Sequence, residues 1–182
     1  IIVVEAVPRE LSSVPALGLL SFHARTEHPA QLHALAAASR PFYPSIVEEL
    51  AETAGEHVVY GQIGHLRGAL HEADERELET GAALNQQHHF AFERVNASEC
   101  RELEPSLHPD VRSGLHFLED ARVDNRALTA AIARAAQRAG AEFKSAAVEA
   151  IEAKAGRVRG VRSGGEFHEA AWVVLAAGCW SG

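Results

Sequence analysis

Val173-Val174-Leu175-Ala176-Ala177-Gly178-Cys179-Trp180-Ser181-Gly182 is an apolar run of small and β-branched residues that stops at a glycine, with an aromatic two positions later. The pattern predicts a fully buried strand over Trp172–Ala176 that feeds a tight turn, where something flat comes close to the backbone. Ile1-Ile2-Val3-Val4-Glu5 is its counterpart: a second buried strand, ending in a carboxylate. Strands that are apolar throughout belong to parallel layers covered on both faces, so the two ends of the chain indicate an α/β fold.

In open parallel sheets, ligands bind outside the carboxyl ends of the strands, and an acid there accepts hydrogen bonds from ribose hydroxyls. Glu5 is placed for that role. The alternative is a plain surface acid at a strand end, because no glycine fingerprint stands before it in the sequence. The totals fit a globular α/β protein: 182 residues, 47% hydrophobic and 23% charged. A net charge of −8 argues against nucleic acid or an anionic membrane as the main partner. No apolar run reaches the roughly 18–20 residues needed to span a bilayer. Two cysteines, Cys100 and Cys179, do not make a disulfide framework and point to a reducing cytoplasm. The chain has no methionine, so it carries no initiator, and it begins inside a strand. It reads as a segment of a longer protein.

Between the terminal strands the periodicity changes repeatedly. Pro29 suits the first turn of a helix that carries Leu32, Leu35, Ala36 and Ser39 on one face. Pro41 and Pro44 kink or break it; Tyr43, Ile46, Val47, Leu50 and Ala54 resume the period up to Gly55. Residues 57–71 read as strand with turns at Gly61 and Gly64, and Ala73–Leu84 as a polar helix whose acidic start is a solvated face. Asn96 and Glu99 form a near capping box for a short helix that Pro105 ends. Gly114–Leu118 is a short strand. Asp124 caps the clearest helix, with a buried stripe of Leu128, Ile132, Ala135 and Ala139 and Gly140 after its end. Asn125 belongs to the same cap. A strand begins at 141–143, and the segments 147–153, 158–163 and 167–170 form an antiparallel meander. Tyr43 and Trp172 read as core residues, and Cys179 as a buried, inert thiol.

Several motifs in this order resemble one family. Val3-Val4-Glu5 leads to Ala16-Leu17-Gly18-Leu19-Leu20, Tyr43-Pro44 lies in a helix, and Arg101-Glu102-Leu103-Glu104-Pro105 precedes Glu119-Asp120-Ala121-Arg122-Val123-Asp124-Asn125-Arg126-Ala127-Leu128. With Ala176–Gly182 at the close, the chain is similar to the FAD-dependent amino-acid oxidases of the D-amino-acid oxidase superfamily, and within it to the glycine oxidases of thiamine biosynthesis. The likeness covers essentially all 182 residues, and 119–128 and 173–182 carry it most specifically.

The resemblance implies a partial FAD-binding, Rossmann-like parallel sheet of the glutathione-reductase type, with a mixed or antiparallel substrate-domain part inserted. It divides the chain into a FAD-binding part (1–55), a substrate-domain part (56–118) and a return to the FAD-binding domain (119–182) that includes the meander (146–170). Glu5, with Ala6 beside it, matches the ribose acid. Ser12-Ser13 match the segment along the pyrophosphate, Gly18 and Leu19 the turn that approaches the flavin, and Val148 the backbone position at the adenine. Ala177, Gly178 and Trp180 match the loop beside the cofactor. Pro15 departs from the family's alanine-rich pattern before that turn, and a leucine stands where it has methionine. The implied reaction oxidises glycine, or a small amine or D-amino acid, to an imine that hydrolyses to a 2-oxo acid and ammonia, while O2 becomes hydrogen peroxide. A flavin dehydrogenase of the same fold acting on sarcosine-like amines or glycerol phosphate, and a truncated module without catalysis, are the alternatives. The glycine fingerprint of the family belongs upstream of Ile1 and its substrate-binding arginine and tyrosine downstream of Gly182. No catalytic residue is therefore assigned, and the segment is expected to be inactive alone. A small substrate and O2 are the expected partners, and a homo-oligomer is open.

Eleven histidines invite a metal reading, but their local spacing does not support one. His88 and His89 are adjacent and point apart in a helix, while His23, His28 and His33 are five apart and miss a common helical face. No Cys-x-x-Cys or His-x-x-x-His occurs, so no metal ligand is expected.

Overall fold

A computed structural model describes residues 1–6, 16–21, 23 and 30–178. In chain order its elements are β1 (Ile2–Glu5), β2 (Leu19–Leu20), α1 (Ala30–Ser39), α2 (Phe42–Ala54), β3 (Tyr60–Gln62), β4 (His65–Ala69), α3 (Glu72–Gln87), β5 (Glu93–Asn96), α4 (Ala97–Leu103), β6 (Ser113–Phe117), β7 (Ala121–Val123), α5 (Asn125–Arg138), β8 (Glu142–Ser145), β9 (Val148–Lys154), β10 (Arg157–Ser163) and β11 (Glu166–Glu169). The chain packs as two units, one of Ile1–Ala16 with Thr129–Gly182 and one of Leu17–Leu128. No described helix is long and apolar enough to cross a membrane.

In the Leu17–Leu128 unit, antiparallel β4-β6-β5 carries α3 against it. Ala69, Leu78, Ala82, Leu115 and Phe117 form the core of that layer, with Phe92 packed on its flank. The acidic residues of α3 face outward and pair with arginines at its base: Arg112 with Glu75 at 2.9 Å and Arg67 with Glu77 at 3.1 Å. The Asn96 carboxamide accepts from the amides of Ser98 (2.8 Å) and Glu99 (3.1 Å), while Glu99 accepts from the Asn96 amide at 2.7 Å. The capping box read from sequence is thus complete. A second small sheet, β2-β7-β3, pairs Leu19 with Arg122 and Tyr60 with Val123. Gly61 lies inside β3 opposite Arg122, a correction to its reading as a turn glycine; the turn before β4 is at Gly64. Pro41 and Phe42 restart the helix after α1, and Pro44 is tolerated because its missing N–H falls in the first turn of α2.

In the other unit, β1 and β8 run parallel, from Ile2 opposite Glu142 to Glu5 opposite Ser145. The meander forms as expected, with β9-β10-β11 antiparallel. Asp124, at the end of the Leu17–Leu128 unit, caps α5, its carboxylate accepting from the amides of Arg126 (3.1 Å) and Ala127 (2.9 Å). The buried face of α5 centres on Ala131, with Leu128 and Ala135 half-buried beside it; Ile132 and Ala139 are exposed. At about 100° per residue, a face centred one position earlier leaves Ile132 on its flank, and Ala139 lies past the last helical residue.

The apolar run after Trp172 departs most from expectation. Residues 172–177 form no strand, and Trp172 (89% exposed) and Val174 (87%) stand in solvent rather than in a core. An apolar run becomes a buried strand only where neighbouring strands meet its backbone groups. Among the described residues, β8 has one ladder neighbour, β1, and none pairs with 172–177.

Candidate functional site

The parallel pair places one group of the expected residues together. Glu5 ends β1 directly opposite Ser145, the last residue of β8. Its carbonyl oxygen accepts from the amide of Ala146 at 3.0 Å, and Val148 begins β9 two residues later. Glu5, Ala6 and Val148 therefore share the carboxyl end of a parallel pair, where open α/β sheets bind ligands. All three are exposed, and the Glu5 carboxylate engages no partner among the described residues. Ala177 and Gly178, in the same unit, are exposed too. Ser12, Ser13, Cys179 and Trp180 lie outside the described residues.

Gly18 and Leu19 lie in the other unit. Gly18 is buried with φ +72°, and a Cβ there would stand 1.9 Å from the carbonyl oxygen of Val123. The Val123 amide in turn donates to the Gly18 carbonyl at 2.9 Å. The close backbone approach anticipated at this glycine is an approach to β7. Leu19 is exposed at the edge of β2.

Sequence spacing gave no hint of a third constellation. His23, His65 and Asp120 meet within the Leu17–Leu128 unit, with one potential ligand atom from each lying within 4.8 Å of the others. Asp120 Oδ2 is 2.7 Å from His23 Nδ1 and 3.3 Å from His65 Nδ1. Asp120 and His23 are 1% and 5% exposed. The amides of Ile63 (3.2 Å) and Gly64 (2.9 Å) donate to the Asp120 carbonyl and fix its main chain. Phe117 stacks on the His23 ring at 3.9 Å between centroids. The residues are 42 and 55 positions apart, so no helix or strand period could reveal them. Cys100 is no rival nucleophile: burial pushes its thiol up and keeps it protonated.

Residues 1–182 match the family DAO, FAD dependent oxidoreductase. The chain belongs to this family. Among curated relatives of this DAO-family chain, the glycine oxidase of Bacillus licheniformis is 32% identical over 92% of the chain and 44% of its own length. The bifunctional protein ThiO/ThiG of Synechocystis is 31% identical over 94% of the chain and 25% of its own length. Among solved structures, the glycine oxidase from Geobacillus kaustophilus superposes with a TM-score of 0.90 at 25% identity, covering 99% of this chain and 49% of that one. The glycine oxidase from Bacillus cereus gives 0.85 at 26%, covering 98% and 50%. The chain thus spans about half the length of these glycine oxidases.

The family's cofactor is FAD, and the residues present fit its nucleoside end. An exposed carboxylate with no partner among the described residues, at the carboxyl end of a parallel strand, suits a ribose diol.

Proposed function

We propose that the whole protein is a cytoplasmic FAD-dependent oxidase of glycine, or of another small amine or D-amino acid, and that this chain supplies part of its FAD site. The observation that carries the reading is the β1–β8 parallel pair ending at Glu5 and Ser145. Glu5 accepts hydrogen bonds from the ribose hydroxyls, with Ala6 beside it, and the backbone at Val148 borders the adenine. Ser12-Ser13 offer amide donors to the pyrophosphate. By the family likeness, Ala177, Gly178 and Trp180 border the ring and keep water from it, while Gly18 holds Leu19 and β2 against β7. When bound, FAD would supply two-electron oxidation of the substrate at its α-carbon, with O2 as the final acceptor and hydrogen peroxide as the product. The substrate amine reacts as the neutral base, and the imine formed is hydrolysed to a 2-oxo acid and ammonia.

The test has two parts. The 182-residue chain is loaded with FAD, dialysed, and read by its visible spectrum beside Glu5→Ala. A hydrogen bond to a charged group contributes about 1.5–3 kcal/mol, so the variant should hold flavin about ten- to a hundred-fold less tightly. Equal retention by both chains removes Glu5 from the site. In the full-length protein, glycine should elicit peroxide; no peroxide from glycine, sarcosine or a D-amino acid would sink the oxidase reading.

A further inference from the structure

We propose that His23, His65 and Asp120 form a binding site for a divalent transition-metal ion of the Zn2+ type. Two imidazole nitrogens and a carboxylate oxygen are a donor set that Zn2+ and its neighbours in the first transition row bind readily. The three ligand atoms lie within 4.8 Å of one another, and the two contacts to Asp120 Oδ2 measure 2.7 and 3.3 Å. Ligands at about 2.0–2.1 Å from a tetrahedral ion stand about 3.3–3.5 Å apart. The His65–Asp120 edge already has that length, and the His23–Asp120 edge needs to open by roughly half an ångström.

The three ligands come from three segments, each held in place. Asp120 is fixed by the two amides on its carbonyl, His65 opens β4 opposite Phe117, and His23 is clamped against the Phe117 ring. Such outer contacts orient ligands before an ion arrives. In the metal-free state both Nδ1 atoms face one carboxylate oxygen and carry protons toward it. On binding, each imidazole presents its Nδ1 lone pair to the ion and moves its proton to Nε2, so no proton need be released. The His65 side chain is 28% exposed, while those of His23 and Asp120 are nearly closed, so the ion enters past His65, where water takes the fourth position.

The experiment titrates the chelator-treated chain with Zn2+ by calorimetry and with Co2+ by difference absorption, beside His65→Gln, Asp120→Asn and His108→Gln. The expected result is one equivalent of Zn2+ bound, with visible Co2+ bands of a low-symmetry site. Loss of an outer-shell partner costs a metal site about 10–100-fold, so loss of a ligand in His65→Gln should cost at least about ten-fold. His108→Gln, which removes an exposed imidazole, should bind as the parent does. His65→Gln keeps the test sound if Asp120→Asn fails to fold, since His65 is the accessible member, and circular dichroism checks its fold. No binding by the parent chain, or binding that His65→Gln leaves unchanged, overturns the proposal and leaves the cluster a hydrogen-bonded lock on β7.

Discussion

Gly18 illustrates what one residue discloses and what it hides. A glycine between apolar residues signals that something comes too close for a Cβ, and sequence cannot say what. Here the Val123 carbonyl oxygen occupies that space, and φ is +72°. An alanine at Gly18 would meet a main-chain atom that no rotamer can move aside, in a backbone region costing about 1–2 kcal/mol for an L-residue. Gly18→Ala should therefore lose at least about 2 kcal/mol, seen as a lower urea midpoint with an unchanged slope. A loss below about 0.5 kcal/mol would mean that β2 is free to shift away from β7. For Glu5 the sequence disclosed its place at the end of β1, but not whether it serves as a ribose acid or a plain surface acid, because no neighbouring residue decides between the two. His23 and Asp120 were not legible, because each sits in an ordinary local context and their pairing exists only after β7 has folded beside residue 23.

At the level of elements, local chemistry proved sufficient wherever the signal was local. The Asn96 capping box and the Asp124 cap each rest on residues within four positions of one another, and the meander on short turns between strands adjacent in sequence. The run at 172–176 needed partners from elsewhere, and composition alone could not supply them. The N-terminus of α3 adds a pH dependence that follows from geometry. Asp74 accepts from the amides of His71 (2.8 Å) and Leu70 (2.9 Å), and these bonds hold its carboxyl below the usual carboxylate value. A group whose folded pKa is depressed stabilises the fold above its unfolded pKa, and that stability is lost as pH falls through the folded value. The first turn of α3 should therefore loosen only below about pH 3.9, as the carboxyl takes up its proton. Asp74→Asn keeps an acceptor but no longer titrates. An acid titration of helicity by circular dichroism should show a step in the parent that is smaller in Asp74→Asn. Identical curves would assign the acid transition to other carboxylates.

For the whole molecule, two unlike surfaces coexist. The chain carries a net charge of −8, which keeps copies apart. The unit built on β1 and β8 also exposes Ile1, Phe143, Val148, Trp172, Val174 and Leu175. Fully burying a side chain such as Val or Leu is worth about 1.5–3 kcal/mol, so covering several of these at once outweighs the loss of freedom in a weak association. The β1–β8 pair adds unpaired backbone groups, since each strand has one ladder neighbour among the described residues. The balance between the two surfaces depends on salt. The Debye length is about 10 Å at 0.1 M and about 3 Å at 1 M, so salt removes the charge repulsion and leaves the apolar attraction intact. Light scattering from the 182-residue chain should rise with protein concentration, and rise further with sodium chloride. Val174→Lys should lower the scattering, by placing a charge in the middle of the exposed run. A salt-driven fall in scattering would mean that ion pairs, not apolar contacts, join the copies. A monodisperse parent at every concentration would mean that 172–177 finds cover within its own chain in solution.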